Sequence, residues 1–122
     1  MDSLTDLQLA VMNALWQVGE GTVGDLHAAL CSNGRTLAPT TVATLLQRLC
    51  KQGWVKHRKN GRQFVYRSAR EQKEVASGAL ARVVTAFFGG NIPALAAQLL
   101  ESDQLTERDV EEMRSLLKKK RS

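Results

Sequence analysis

The chain has 122 residues, 43% of them hydrophobic and 24% charged, with a formal net charge of +5. That is room for one domain, or a small domain with an appendage. No run approaches the ~20 apolar residues of a membrane-spanning helix. The opening MDSLTDLQ lacks a basic segment followed by an apolar core, so no secretory leader and a cytoplasmic location are expected. The charge is uneven: residues 1–67 hold eight Lys/Arg against four Asp/Glu, residues 68–122 nine against eight. The basic excess therefore lies in the first half, where a polyanionic partner would bind.

In chain order, Leu4-Thr5-Asp6-Leu7-Gln8 predicts a helix start, with Thr5 as N-cap and Gln8 closing a capping box. Leu7, Val11, Leu15 and Val18 repeat at helical spacing, widened by Met12 and Trp16. Gly19-Glu20-Gly21 ends this helix. Thr22-Val23 offers a short strand, or Thr22 caps the next helix, which runs from Val23 to Leu30 and buries Val23, Leu26 and Leu30. Ser32-Asn33-Gly34-Arg35 reads as a turn.

The stretch PTTVATLLQRLCKQGW, residues 39–54, then predicts a helix with Pro39 in its first turn. Val42, Leu45, Leu46 and Leu49 form its apolar stripe. The opposite face collects Thr40, Thr44, Gln47 and Lys51, with Arg48 on the flank and no carboxylate. Hydroxyls and amides read base edges, and cations meet phosphates, so this inventory suits a helix in a DNA major groove. An ordinary solvated face has similar residues. After Gly53, a helix-ending residue, WVKHRKNGRQFVYRS alternates around Asn60-Gly61, a strong hairpin signal. Seven Lys or Arg and no acid lie between Arg48 and Arg67. Three short helices followed by a basic hairpin is the order of a winged helix-turn-helix.

Ser68 to Glu71 reads as another capping box. It opens an amphipathic run through Val75, Ala79, Val83, Val84, Phe87 and Phe88, broken at Gly89-Gly90-Asn91. Pro93 opens a short helix with Leu95, Leu99 and Leu100. Thr106 with Asp109 starts a last helix whose stripe is Val110, Met113, Leu116 and Leu117. Its terminal Lys118 to Arg121 complement the helix dipole. Some 55 residues are marginal for an independent core, so these helices are expected to pack on the same segment of a second chain, as two-fold symmetry and palindromic DNA would suit.

No phosphate-binding, dinucleotide, zinc-protease or serine-hydrolase motif is present, and no enzyme is expected. Cys31 and Cys50 share no metal-ligand spacing, even with His27 and His57, and are read as two buried structural thiols; no cofactor is expected.

The segments LTDLQLAVMNALW (4–16), TVGDLHAAL (22–30), PTTVATLLQRLCKQGWVKHRKNGRQFVYR (39–67) and LTERDVEEMRSLLKKK (105–120) resemble the penicillinase repressor family, the BlaI/MecI type of bacterial winged-helix repressor. The resemblance implies a mainly α fold with a small β-hairpin: a winged-helix DNA-binding domain over 1–67 and a helical dimerisation region over 68–122. It implies a homodimeric repressor on double-stranded, palindromic operator DNA, with recognition-helix contacts at Thr40, Thr41, Thr44 and Arg48 and a backbone contact at Arg62. With Gln47, Lys51, Arg58 and Lys59, these make up the expected DNA surface. Val83, Phe87, Phe88, Leu95, Leu99, Leu100, Val110, Met113 and Leu117 make up the expected dimer surface. A sensor or protease relieving repression is the other implied partner. Two features depart from the family. The copper-responsive branch carries a C-terminal cysteine cluster, and here no cysteine follows Cys50. The β-lactam-responsive branch is cleaved at an Asn-Phe bond, and here Gln98-Leu99 stands at that position. The competing reading is a winged-helix protein-interaction module, which would show an apolar outward face on the 39–53 helix.

Overall fold

The computed structural model describes residues 4–121; Ser122 and the first three residues, part of the opening read as lacking a leader, lie outside them. In order come α1 (Asp6–Val18), β1 (Glu20–Gly21), α2 (Val23–Ser32), α3 (Pro39–Lys51), β2 (Val55–Asn60), β3 (Gln63–Ser68), α4 (Gln72–Phe88), α5 (Ile92–Glu101) and α6 (Glu107–Arg121). The fold is thus mainly helical with one small antiparallel sheet, in the order β1-β3-β2. The chain divides into two compact units, Met1–Ala76 and Ser77–Ser122.

In the first unit, local chemistry fixes each helix end. Thr5 and Gln8 form the reciprocal capping box expected of them, both bonds at 3.1 Å. Thr22 and Asp25 form a second one on α2. Ala38 gives α3 no side-chain cap, but Pro39 sits in its first turn, where a missing N–H costs nothing. At the other end Gly53 takes φ 83°. The Gly53 N–H donates to the Cys50 carbonyl and the Trp54 N–H to the Leu49 carbonyl. This is the Schellman arrangement, and it drives buried Trp54 back against Leu49.

The core of this unit lies where α1, α2 and α3 meet the sheet. Met12, Leu15, Leu26, Leu46 and Leu49 are among its fully buried side chains, with Trp54, Val55 and Tyr66 closing it from the sheet side. Three expectations are corrected here. Leu7 and Val18 lie at the ends of the α1 stripe and are exposed, whereas Gln8 is buried and its amide donates to Gln52 across the core edge. The short strand is Glu20–Gly21, pairing with Arg67 and Tyr66 of β3, because Thr22 is committed to capping α2. The hairpin loop is Gly61-Arg62, since Asn60 still pairs with Gln63. Gly61 supplies φ 65° at the first loop position, as a II′ turn demands.

A fourth correction concerns Ser68. It ends β3 and does not cap α4, because its hydroxyl is used elsewhere. It donates to the Arg70 carbonyl and accepts from the Arg70 N–H and from the Trp16 indole. The indole N–H also reaches the Arg70 carbonyl at 2.9 Å, and the Arg70 guanidinium lies 4.4 Å above the Trp54 ring. This knot fastens the exit of the sheet to α1. Trp16→Phe keeps the apolar body and removes the N–H. It should cost about 1–3 kcal/mol, lowering the melting temperature of the unit by roughly 4–8 °C per kcal/mol. Thermal unfolding followed by near-UV dichroism checks this.

The second unit is different in kind. Asn91 caps α5 by accepting from the Ala94 N–H, and Thr106 and Asp109 form the expected reciprocal box on α6. Yet α4, α5 and α6 bury none of their described residues. Leu80, Val83, Leu99, Leu100, Met113 and Leu117 are exposed, and Phe87 is 79% exposed. Phe88, Leu95 and Val110 are half-buried. No single helix among the described residues is long and apolar enough to cross a membrane.

Candidate nucleic-acid interface

Helix α3 separates its residues sharply by side. Val42, Leu46 and Leu49 are fully buried and Leu45 nearly so, while Thr40, Thr41, Thr44, Gln47, Arg48 and Lys51 are all exposed. The face opposite the core is therefore polar and cationic over three turns. At its N-terminal end the Thr44 hydroxyl donates to the Thr40 carbonyl at 3.0 Å. This back-bond uses the hydroxyl's donor, so what Thr44 still offers on the exposed face is an acceptor and a methyl group. Arg48 and Lys51 lie in the last turn, where their charge also complements the negative end of the dipole.

The wing is the β2–β3 hairpin. Arg58, Lys59 and Arg62 are exposed along it, Arg62 in the loop itself. Lys59 pairs across the ladder with Phe64 and His57 with Tyr66, so these four share one face of the hairpin. His57 is the joint between wing and helix. Its Nδ1 lies 3.5 Å from the Cys50 sulfur, and its ring meets Phe64 edge-on at 4.9 Å between centroids. Burial pushes the Cys50 thiol above its ordinary pKa, so it stays protonated and serves as a contact. The sign of that shift makes its stabilising contribution full below the usual thiol range and lost as pH rises through the shifted range.

Neither cysteine is buried as expected: Cys50 is only half-buried, and Cys31 is exposed near the end of α2. The reason for Cys31 is its position off the Leu26–Leu30 stripe of α2; there its sulfur lies 3.8 Å from the His27 Nε2. Among the described residues no group of three or more His, Cys, Asp or Glu is placed to hold a metal.

One carboxylate enters this cationic surface, and the linear run of seven cations did not reveal it. The β1–β3 pairing brings Glu20 to the wing, where it forms an ion pair with Arg58 at 3.0 Å, both side chains about half exposed. Such a pair contributes little to stability. It does neutralise one cation of the basic surface. Glu20→Gln should therefore tighten binding to any duplex and steepen its salt dependence by about one unit of slope. Anisotropy titrations across a salt series measure both.

The comparisons with known proteins agree with this geometry. The sequence profile described as "Penicillinase repressor" matches residues 4–119. Over 114 residues the chain is 28% identical to the penicillinase repressor of Bacillus licheniformis, covering 93% of this chain and 88% of that one. It is 41% identical over 76 residues to the transcriptional regulator BlaI of Mycobacterium tuberculosis, covering 62% and 54%. Among solved structures, the DNA-binding domain of the repressor BlaI superposes with a TM-score of 0.52 at 32% identity, over 59% of this chain and 87% of that one. The monomeric form of B. licheniformis BlaI in complex with the blaP half-operator gives 0.50 at 32% identity, over 60% and 88%. E. coli MarR, at 20% identity and a TM-score of 0.53 over 98% of this chain and 79% of its own, shares the fold alone. With a winged helix whose exposed face is polar and basic, and a family match running over nearly the whole length, this chain belongs to the penicillinase repressor family of DNA-binding transcriptional repressors.

Proposed function

We propose that this repressor binds a palindromic operator as a homodimer in the cytoplasm, each subunit placing α3 in the major groove of one half-site. The observation carrying this reading is the exposed, carboxylate-free face of α3. Thr40, Thr41, Thr44 and Gln47 are the readers of base edges and nearby phosphates. Arg48 and Lys51 extend that face as cations, and Arg58, Lys59 and Arg62 follow the backbone along the wing. A relative solved as a monomer on a half-operator supports one subunit per half-site. The exposed apolar residues of α4 to α6, Val83, Phe87 and Leu100 among them, support the dimer.

Two substitutions separate positioning from reading. Arg62→Ala should weaken binding to operator and random duplex alike and reduce the salt slope by about one. Thr44→Ala should instead narrow the gap between operator and random DNA, by about 1–3 kcal/mol if it reads a base. Anisotropy at two salt concentrations distinguishes them, and unchanged binding in both variants would remove this assignment of the site.

Repression is relieved, in this reading, through a sensor or protease partner, but not by a cut at Asn-Phe. Residues 98 and 99 are Gln and Leu, within α5, a ten-residue helix with no buried side chain. The segment is open to proteolysis, yet it lacks that recognition pair. Co-expression with a sensor of Asn-Phe specificity and a β-lactam should leave the mass of the repressor unchanged. A fragment ending at Gln98 would overturn this.

A further inference from the structure

We infer that the apolar stripe of α6 is covered by α6 of a second copy running antiparallel, the acidic first half of each helix against the basic second half of the other. The inference rests on the dimer proposed above and specifies one of its contacts. Its basis is a segregation of charge along a helix with no buried residue. Glu107, Asp109, Glu111 and Glu112 all precede Met113, while Arg114 and the run Lys118 to Arg121 follow it. Only Arg108 breaks the division, and its guanidinium is 3.8 Å from Glu112.

Complementing its own dipole accounts for charges in the first and last turns of α6. It does nothing for the stripe between them, where Met113 is 44%, Leu117 51% and Leu116 64% exposed. Whatever covers that stripe meets a negative block at one end and a positive block at the other. Helix α4 offers Lys73, Glu74 and Arg82, and α5 only Glu101, so neither carries matching blocks. A parallel copy of α6 would set like charge on like. An antiparallel copy matches both blocks at once.

The geometry is that of a self-complementary two-fold contact. Fifteen residues make a helix about 22 Å long, so the centres of the two blocks lie farther apart than the ~8 Å screening length at physiological salt. Each block therefore interacts mainly with what lies directly opposite. With Met113 and Arg114 beside the two-fold axis, Val110 of one copy falls near Leu117 of the other, and Glu107 near Arg121. Arg114 is held in its own helix by Glu111 at 3.5 Å, which lessens repulsion across the axis.

Cross-linking of the full-length chain tests the orientation. In a background carrying Cys31→Ser and Cys50→Ala, one preparation carries Glu107→Cys and another Arg121→Cys. After mixing, subunit exchange and mild oxidation, the expected product is the 107–121 disulfide. Predominant 107–107 or 121–121 products, or a dimer that forms no cross-link, would overturn the antiparallel contact. A chain that sediments as a monomer would instead overturn the dimer itself, so the two failures are distinguishable. Charge reversal gives a second measurement. Glu107→Lys with Glu111→Lys and Glu112→Lys should weaken the dimer about tenfold or more at low salt, and so should Lys118→Glu with Lys119→Glu and Lys120→Glu. Mixing the two should restore dimerisation; wild-type dimerisation by each variant alone would count against the charge pairing.

Discussion

A chain ending at Ala76 is expected to bind one half-site normally and a full palindromic operator about 10²–10⁴-fold more weakly than the complete protein. The buried hydrophobic residues fall between Val11 and Tyr66, and Val75 packs against that cluster, so the cut leaves the core and the DNA surface intact. What it removes is the set of exposed apolar residues from Leu80 to Leu117. In the proposed dimer, the first half-site contact brings the second subunit to a high effective concentration over the second half-site, and truncation forfeits that gain without touching any DNA contact. Sedimentation should show a monomer. Titration against half-site and full-site duplexes should then give nearly equal affinities for the truncated chain and widely different ones for the full chain. A truncated chain that keeps full-site affinity would mean that α4 to α6 contribute nothing to operator binding.

The fold of the first unit was legible because several local signals pointed the same way. Thr5 with Gln8, Pro39 ahead of a 3.6-residue apolar period, and Gly53 just past its end each mark a boundary by a separate mechanism, and the structure places α1 and α3 where those marks fall. Where two signals competed for one residue, the reading slipped. Thr22 could not be both strand and cap, and the capping box with Asp25 won, moving the strand back to Glu20–Gly21. Ser68 has the sequence form of an N-cap, but its hydroxyl is engaged by Arg70 two residues on and by Trp16, 52 residues away in the chain. Tertiary hydrogen bonds of that range leave no local trace.

The candidate site was legible to the same degree and for the same reason. Amphipathic spacing alone puts Thr40, Thr44, Gln47 and Lys51 opposite Leu46 and Leu49, and the exposure of these residues follows. What connects the helix to the wing was not legible. Cys50 and His57 looked like unrelated residues weighed against a metal site, and only the turn at Gly53 brings them to 3.5 Å. Glu20 was invisible in the cation count because it arrives from a separate strand. The segment expected to need a second copy, α4 to α6, is also the one whose described residues include none that is fully buried.

Leu46→Ala is expected to destabilise the first unit by about 2–5 kcal/mol, the usual cost of a leucine-sized cavity that neighbours cannot fill. Leu46 is fully buried, on α3, in the cluster formed with Met12, Leu15, Leu26 and Leu30. A domain of this size is stable by only about 0.05–0.15 kcal/mol per residue, so the change removes a large share of the total. The effect on DNA should be indirect. Operator binds the folded form, and saturating duplex should therefore raise the melting temperature of the variant through mass action. Gln47→Ala, the adjacent residue on the exposed side, should behave in the opposite way: stability within about 0.5 kcal/mol of wild type, with weakened operator binding. Melting curves with and without operator, beside titrations at low temperature where both variants are folded, give the two measurements. Should Leu46→Ala lose operator affinity at low temperature as severely as Gln47→Ala, the two sides of α3 are not independent, and its outward face depends on a core that must be intact to the last methyl group.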